Sequence, residues 1–149
     1  MPGPLVDCYV LAPERSAAVA SLFLERFLPK RVPLFDSLDP SEVLGLPADS
    51  SLSDVLEHLE AQADTQYSMY WRNALEEPPY YGLLAFTADG ALILGLSPCA
   101  DDRMSEAERW IEAMKESTVS DTAYWGVEEP PVETSSEFRS RAEATKSAL

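Results

Sequence analysis

Residues 80–102 read YYGLLAFTADGALILGLSPCADD, and this stretch decides the predicted fold. Two strand-like runs flank Asp89 and Gly90. An Asp-Gly pair in that position predicts a β-hairpin, because both turn positions must tolerate positive φ. The second run, residues 91–97, is apolar on both faces, so it is expected at the centre of a sheet. Asp89 is therefore assigned to the turn and not to a chemical site.

The spacing of apolar residues predicts further strands and helices on both sides of this hairpin. The predicted strands are residues 5–11, 66–73, 80–87, 91–97 and 118–127, and the predicted helices cover about residues 14–28, 51–63 and 101–117. The order is β-α-α-β-β-β-α-β, and its three consecutive strands favour an antiparallel meander. The expected fold class is α+β, a single layer of mainly antiparallel sheet with helices packed against one face.

Local signals set the helix boundaries. Pro13 is expected at the first position of the first helix. Pro29 ends that helix, because the residue before a proline avoids the α region. Ser51 and Asp54 form a predicted capping box at the start of the second helix, since each side chain can reach the other's backbone N–H.

The length of 149 residues predicts one domain. We expect it to cover residues 1–132, with residues 133–149 forming a polar C-terminal tail or a short surface helix. Residues 29–50, rich in proline, are expected to form a connector over the core, because several of its side chains are apolar. Cys8 and Cys99 are too few for a disulfide framework and are predicted to be reduced, buried thiols.

We expect neither a secretory leader nor a membrane span in this chain. Its first residues lack a basic, apolar leader, and no apolar run approaches the roughly 18 residues that a membrane helix needs. The expected location is therefore the cytoplasm.

Acidity is the strongest global signal, with 26 acidic against 11 basic residues and a formal net charge of −15. A surface this negative repels nucleic-acid phosphates and anionic lipids, so we expect no nucleic acid and no membrane as a partner. It attracts a basic protein and steers its approach. The alternative interpretation is that the charge only keeps the protein soluble.

Nucleophilic catalysis would require a Ser or Cys with a base and an orienting group. His58 is the only imidazole in the chain. Cys99, between a strand and a helix, could be its nucleophile and Asp54 its orienting group. The favoured interpretation is a core thiol and a surface histidine, because the acids that follow Cys99 would oppose a thiolate. We therefore expect a protein that is not an enzyme.

No motif for a metal or cofactor rises above background, and none is predicted. Asp101, Asp102 and Glu106 lack the spacing of a calcium loop and are interpreted as acids in the first turn of a helix. Gly82 and Gly95 lack phosphate-loop spacing and instead predict a bulge or the close approach of another group. Carboxylate pairs of the glycosidase type are uninformative among so many acids.

Aromatic residues concentrate in and after the predicted strand 66–73. That strand alternates, so one set of aromatic side chains should face away from the main core. Tyrosine and tryptophan are enriched at interface hot spots. Tyr124 and Trp125 could join them through the last strand. The predicted partner-binding residues are Tyr70, Trp71, Glu76, Glu77, Tyr80, Tyr81, Asp101 and Asp102.

These features favour a small acidic protein-binding module. In size, acidity and mixed α+β pattern the chain is similar to the small immunity proteins that neutralise bacterial toxins, which implies occlusion of a basic partner. This is a similarity of profile, with no shared motif. One alternative is an enzyme or small-molecule-binding protein with a pocket under the connector, residues 29–50. Another is a homodimeric structural or adaptor protein.

Overall fold

The computed structural model describes residues 4–34, 40–100 and 105–148, with side chains described as far as residue 144. Six strands form one antiparallel sheet in the order β2-β3-β4-β5-β1-β6. The elements in chain order are β1 (Leu5–Leu11), α1 (Ala17–Phe27), β2 (Arg31–Leu34), α2 (Pro40–Val43), α3 (Leu52–Ala61), β3 (Tyr67–Asn73), β4 (Tyr81–Phe86), β5 (Leu92–Ala100), α4 (Ala107–Thr118), β6 (Ala123–Val127) and α5 (Ser135–Ala148).

The predicted α+β class is confirmed, and β3, β4 and β5 form the expected antiparallel meander. Strand β1 lies between β5 and β6 in the sheet and pairs with both of them. Strand β2 was not predicted. It contains Pro33, which is tolerated because β2 is an edge strand whose outer N–H groups need no partner in the ladder.

The β4–β5 hairpin has a different turn from the one expected. Thr87 N donates to Ala91 O at 3.0 Å, and Gly90 N donates to Thr87 O at 3.3 Å. Within this loop only Gly90 has a positive φ, of 87°. A three-residue loop with one left-handed position replaces the two-residue turn, so glycine is required at position 90 but Asp89 is released from that constraint.

Both faces of the sheet are buried. The main face carries Val10, Leu84 and Leu94, which form the larger core with α1, α3 and α4. The opposite, far face carries Leu83 and Ile93 in a second, smaller core. Helix α5 completes that second core with Phe138, which is fully buried. The expectation that all helices pack on one face is therefore wrong.

The helix boundaries show which local signals were decisive. Ser51 and Asp54 form the predicted capping box: Asp54 N donates to Ser51 Oγ at 3.1 Å, and Ser51 N donates to Asp54 Oδ2 at 3.0 Å. Helix α1 begins after Ser16, whose Oγ accepts from Val19 N at 3.2 Å. Pro13 therefore precedes the helix, because a serine cap three residues later satisfies the helix end.

Arg15 joins two parts of the fold through its guanidinium, although the residue is only 9% exposed. It donates to backbone oxygens of Thr87 at 2.8 Å and Ala91 at 3.3 Å in the hairpin loop. It also donates to three carbonyls at and after the end of α3, those of Leu59, Gln62 and Thr65, at 2.6, 2.9 and 2.8 Å. Charge-assisted bonds to five carbonyls fix α3 against the sheet.

Asp89 holds α5 to the same hairpin loop. Its carboxylate accepts from Thr87 Oγ1 at 2.5 Å, from Ser135 Oγ at 2.7 Å and from Ser135 N at 3.0 Å. The hydrogen bonds from Ser135 and then Thr87 lower the pKa of Asp89 to about 2. Asp89, which the sequence assigned only to the turn, thus also binds the first residue of α5 on the far face.

We expect Arg15→Lys to lower the free energy of unfolding by about 2–3 kcal/mol, because a lysine has only three donors and cannot serve five carbonyls. Urea unfolding followed by circular dichroism measures this change. The matched control is Arg109→Lys at a position whose side chain is 80% exposed, where a change within about 0.5 kcal/mol is expected. Equal stability of the two variants would contradict the role of Arg15.

We expect Asp89→Ala to lower the free energy of unfolding by about 1–2 kcal/mol near neutral pH, because the start of α5 loses its hydrogen bonds from Ser135 to Asp89. The lowered pKa means that ionised Asp89 stabilises the fold above its ordinary value of 3.8 and loses that effect as pH falls toward 2. The difference from the parent should therefore shrink over that range in urea unfolding. Asp49→Ala, at an exposed loop position, is the control. A pH-independent difference would contradict the assignment.

Candidate functional site

A groove of about 360 Å³ lies on the far face of the sheet, in the part that α5 does not cover. Strands β1, β3, β4 and β5 form its floor and one side, and residues 128–131, which follow β6, form the other side. We call it the far-face groove. Its polar and aromatic lining is Asp7, Tyr9, Tyr70, Tyr81, Ser97, Glu128 and Glu129.

The floor is formed by Tyr9 lying across Gly95. A Cβ atom at position 95 would be 2.8 Å from Cδ1 and Cε1 of the Tyr9 ring and 3.2 Å from Leu83 Cδ2. Only glycine allows this approach, as the sequence predicted for Gly95 as a close-contact position. The ring is 4% exposed, and its hydroxyl donates to the backbone oxygen of Glu129.

Asp7 fastens the opposite side of the groove to the sheet. Its carboxylate accepts from Ser97 Oγ at 2.6 Å on β5 and from Glu129 N at 2.8 Å. Glu128 N donates to Leu5 O at 2.9 Å, which extends the pairing of β6 with β1 by one bond. Residues 128 and 129 are thus held by backbone as well as side-chain contacts.

Arg141 of α5 secures Glu129 from the other direction. Its Nε donates to Glu129 Oε1 at 3.0 Å and its second terminal nitrogen to Oε2 at 2.7 Å, a bidentate pair. The guanidinium carbon lies 5.0 Å from the centre of the Tyr124 ring. Hydrogen bonding and charge from Glu129 raise the pKa of Arg141. The charge of Glu129 is therefore neutralised within the protein.

Two further carboxylates line the groove, those of Asp7 and Glu128. Burial raises the pKa of Asp7, its hydrogen bonds oppose that change, and the carboxylates of Glu128 and Glu129 raise it further. Glu128 is exposed, and its carboxylate has no hydrogen bond or ion pair with any residue that the structure describes. The groove is thus an anionic site with aromatic walls, suited to a cationic group.

The predicted partner-binding residues separate into two sets. Tyr70 and Tyr81 lie on the far face and line the groove, and Tyr70 is 44% exposed. Trp71 points to the main face and is 2% exposed in the larger core. The prediction that Trp71 contacts a partner is therefore wrong for this structure, because the alternation of β3 directs neighbouring side chains to opposite faces.

Glu76 and Glu77 are exposed in the loop between β3 and β4 and do not line the groove. Asn73 shapes this loop by donating to the backbone oxygens of Glu77 and Pro79, both at 3.0 Å. Tyr80 is half-buried at the end of the loop and also lies outside the groove lining. The predicted loop acids can therefore contact a partner only at a separate surface.

Two further aromatic residues named from the sequence, Tyr124 and Trp125, do not line the groove. Tyr124 is buried beside Phe138 in the smaller core, and Trp125 packs against the larger core. The predictions for Asp101 and Asp102 lie outside the described residues.

The catalytic arrangement considered from the sequence is not assembled. Cys99 is 2% exposed in the larger core, as is Cys8 at 0%, and both are reduced. Burial, the largest cause, raises the pKa of Cys8. His58 is half-buried on α3, and Asp54, its proposed orienting group, is engaged in the capping box. Neither His58 nor Cys99 lines the far-face groove or the cavity beside the connector.

A second cavity, of about 470 Å³, lies beside the connector. Met69 and Trp71 line it, together with the Glu25–Arg31 ion pair of 3.1 Å. It lies where the alternative pocket was expected, but no tyrosine lines it. Residues 35–39 of the connector are outside the described part of the chain.

The described residues contain neither a cluster of metal-ligating side chains nor a membrane-spanning helix. Among the residues described, no group of three or more His, Cys, Asp or Glu side chains could hold a metal ion. In the same part of the chain, no helix combines the length and apolar character needed to cross a membrane. No protein-family model, curated protein or solved structure matches the chain.

Sequence reasoning identified two of the seven polar and aromatic lining residues, Tyr70 and Tyr81, and missed five. The missed residues are Asp7, Tyr9, Ser97, Glu128 and Glu129. One usable signal existed. Asp7 is the only charge in the apolar run LVDCYVL, and a charge inside a central strand requires a partner. Its neighbours in space, Ser97 and Glu129, are far away in the sequence and could not be read from it.

We expect Gly95→Ala to displace the Tyr9 ring, because both the ring and Leu83 are too close to accept a methyl group. Overpacking of this kind should cost about 1–3 kcal/mol of unfolding free energy. Urea unfolding measures the loss, and near-ultraviolet circular dichroism reports the tyrosine environment. Ser68→Ala, exposed on the same face, is the control. Unchanged stability and tyrosine signal would contradict the packing described for the groove floor.

Proposed function

We propose that this protein is a non-enzymatic binding module whose far-face groove docks a basic segment of a partner protein. The observation that carries the proposal is the combination of Tyr70 and Tyr81 with the carboxylates of Asp7 and Glu128 in one open groove. Tyrosines provide large, rigid contact surfaces with a polar end, and the carboxylates supply opposite charge.

The surface around the groove supports docking of a chain rather than of a small ion. Val32 and Leu34 of β2 lie on the far face beside Arg72 and Tyr70, and they are 36% and 43% exposed. This leaves an apolar border next to an anionic groove. Interfaces commonly combine apolar anchors with charged groups of this kind.

The proposed mechanism is occlusion. The net charge of −15 speeds encounter with a basic partner, and the tyrosine contacts slow its release. This activity is that of an inhibitor or immunity-type protein acting in the cytoplasm. It requires no bond-making chemistry, in agreement with the buried position of Cys99.

A small-molecule-binding protein is the second candidate, and the cavity beside the connector favours it. Its walls, Met69 and Trp71, are apolar, and the Glu25–Arg31 pair would orient a polar group. A homodimeric adaptor is the third candidate, for which the apolar border of Val32 and Leu34 would be the self-contact. Light scattering at micromolar concentration distinguishes that arrangement from a monomer.

The test is capture of partners from a lysate of the source cells at low and high salt. We expect a basic protein that is retained at low salt and released at high salt. The double variant Tyr70→Ala, Glu128→Gln should reduce its capture about tenfold or more. The control is Leu22→Ala, Glu112→Gln, at exposed positions on α1 and α4 with the same change in charge.

Three outcomes would contradict the proposal. These are capture of only neutral or acidic proteins, capture that salt does not weaken, and equal loss of capture in the groove variant and the control. Circular dichroism of both variants shows whether each is folded, so that a loss of capture reports binding and not stability.

A further inference from the structure

We infer that the far-face groove binds an arginine side chain of the partner, with the guanidinium against Tyr70 and Tyr81 and paired with Glu128. The inference rests on the proposed function and names the chemical group that the groove recognises. It follows from the shape of the walls, from the acceptors left open and from the position of the neighbouring cations.

The walls suit a flat cation. In the β3–β4 register Tyr70 pairs with Leu83 and Arg72 with Tyr81, so Tyr70 and Tyr81 are diagonal neighbours on the far face. Such neighbours lie roughly 7–8 Å apart, within reach of one guanidinium. A guanidinium stacks on aromatic faces and is weakly hydrated, whereas an ammonium is a compact, strongly hydrated charge.

The acceptors suit a group with many donors. Each oxygen of Asp7 already accepts one hydrogen bond, which leaves each with capacity for one more. Both oxygens of Glu128 are open to solvent and without a partner in the described part of the chain. A guanidinium has five donors in a fork that matches a carboxylate, so it can pair with Glu128 and still reach Asp7.

Among the described residues, the two arginines nearest the groove do not fill this place. Arg141 forms an ion pair with Glu129. Arg72 pairs with Tyr81 from the β3 side, whereas Ser97, which binds Asp7, pairs with Tyr81 from the β5 side. The charge of Arg72 therefore disfavours a second cation on the β3 side of Tyr81. An incoming arginine is therefore directed toward the Asp7 and Glu128 end. Burial is the largest cause of the raised pKa of Asp7, and the nearby carboxylates of Glu128 and Glu129 add to it.

Three capped tripeptides test the inference: acetyl-Gly-Arg-Gly-amide, its lysine analogue and its citrulline analogue, which is flat but neutral. Each is titrated into the full chain, with amide resonances of Gly95 and Ser97 and the tyrosine ring resonances followed by nuclear magnetic resonance. We expect saturable shifts with the arginine peptide, binding of the lysine peptide weaker by about fivefold or more, and none with citrulline.

Two variants locate the site. Glu128→Gln should weaken binding of the arginine peptide about fivefold or more, while Glu112→Gln on α4, with the same loss of charge, should leave it unchanged. Equal binding of arginine and lysine peptides, equal effects of the two variants, or shifts confined to other residues would each overturn the inference.

The experiments distinguish a wrong arginine assignment from a wrong proposed function. If the basic partner is captured through the groove but the arginine and lysine peptides bind equally, the arginine assignment is wrong and the proposed function stands. If the arginine peptide binds as expected but no basic protein is captured in a groove-dependent way, the groove recognises a guanidinium and the proposed function is wrong.

Discussion

Strand β5 buries side chains on both faces, and the rest of the structure depends on that constraint. Leu92 and Leu94 point into the larger core, while Ile93, fully buried, points the other way. A sheet with such a central strand must be covered on both sides. In the described part of the chain, α1, α3 and α4 cover the main face, while α5 and residues 128–131 cover the far face in part. The uncovered remainder of the far face is the groove.

The contacts that hold this second layer also shape the groove. Asp7 and Tyr9 project from β1 and bind Glu129, while Arg141 binds the same residue from α5. Changes at these positions would alter stability and binding together. Glu128 and Tyr70 do not hold the second layer in place. Glu128 is exposed after the end of β6, and Tyr70 is 44% exposed on the sheet. The fold therefore separates residues that build the groove from residues that are free to contact a partner.

The sequence predicted those features that local periodicity controls. The bounds of β1 were predicted without error, those of β3 and β4 within one residue, and the capping box at Ser51 in detail. Strand β2, the strand order and the docking of α5 could not be predicted, because they depend on partners distant in the chain. Dependence on residues distant in the chain also explains why the groove was only partly predicted. Alternation predicted that one set of aromatic side chains of β3 faces away from the core, but it did not say which, so Tyr70 and Trp71 were both assigned to the partner surface. It gave no sign that Glu129 would bind Asp7.

The acidity of the chain takes on a different meaning once its arginines are located. Arg15 is buried among backbone carbonyls, while Arg31 and Arg141 are paired with Glu25 and Glu129. Some of the basic residues are thus engaged in contacts within the fold. The excess of acidic residues dominates the electrostatic field around the protein. A diffuse field of this kind speeds encounter with any basic protein but does not discriminate among them. Discrimination requires a site of fixed geometry, and under the proposed function the far-face groove is that site, because Tyr9, Asp7 and Arg141 all fix Glu129 at its edge.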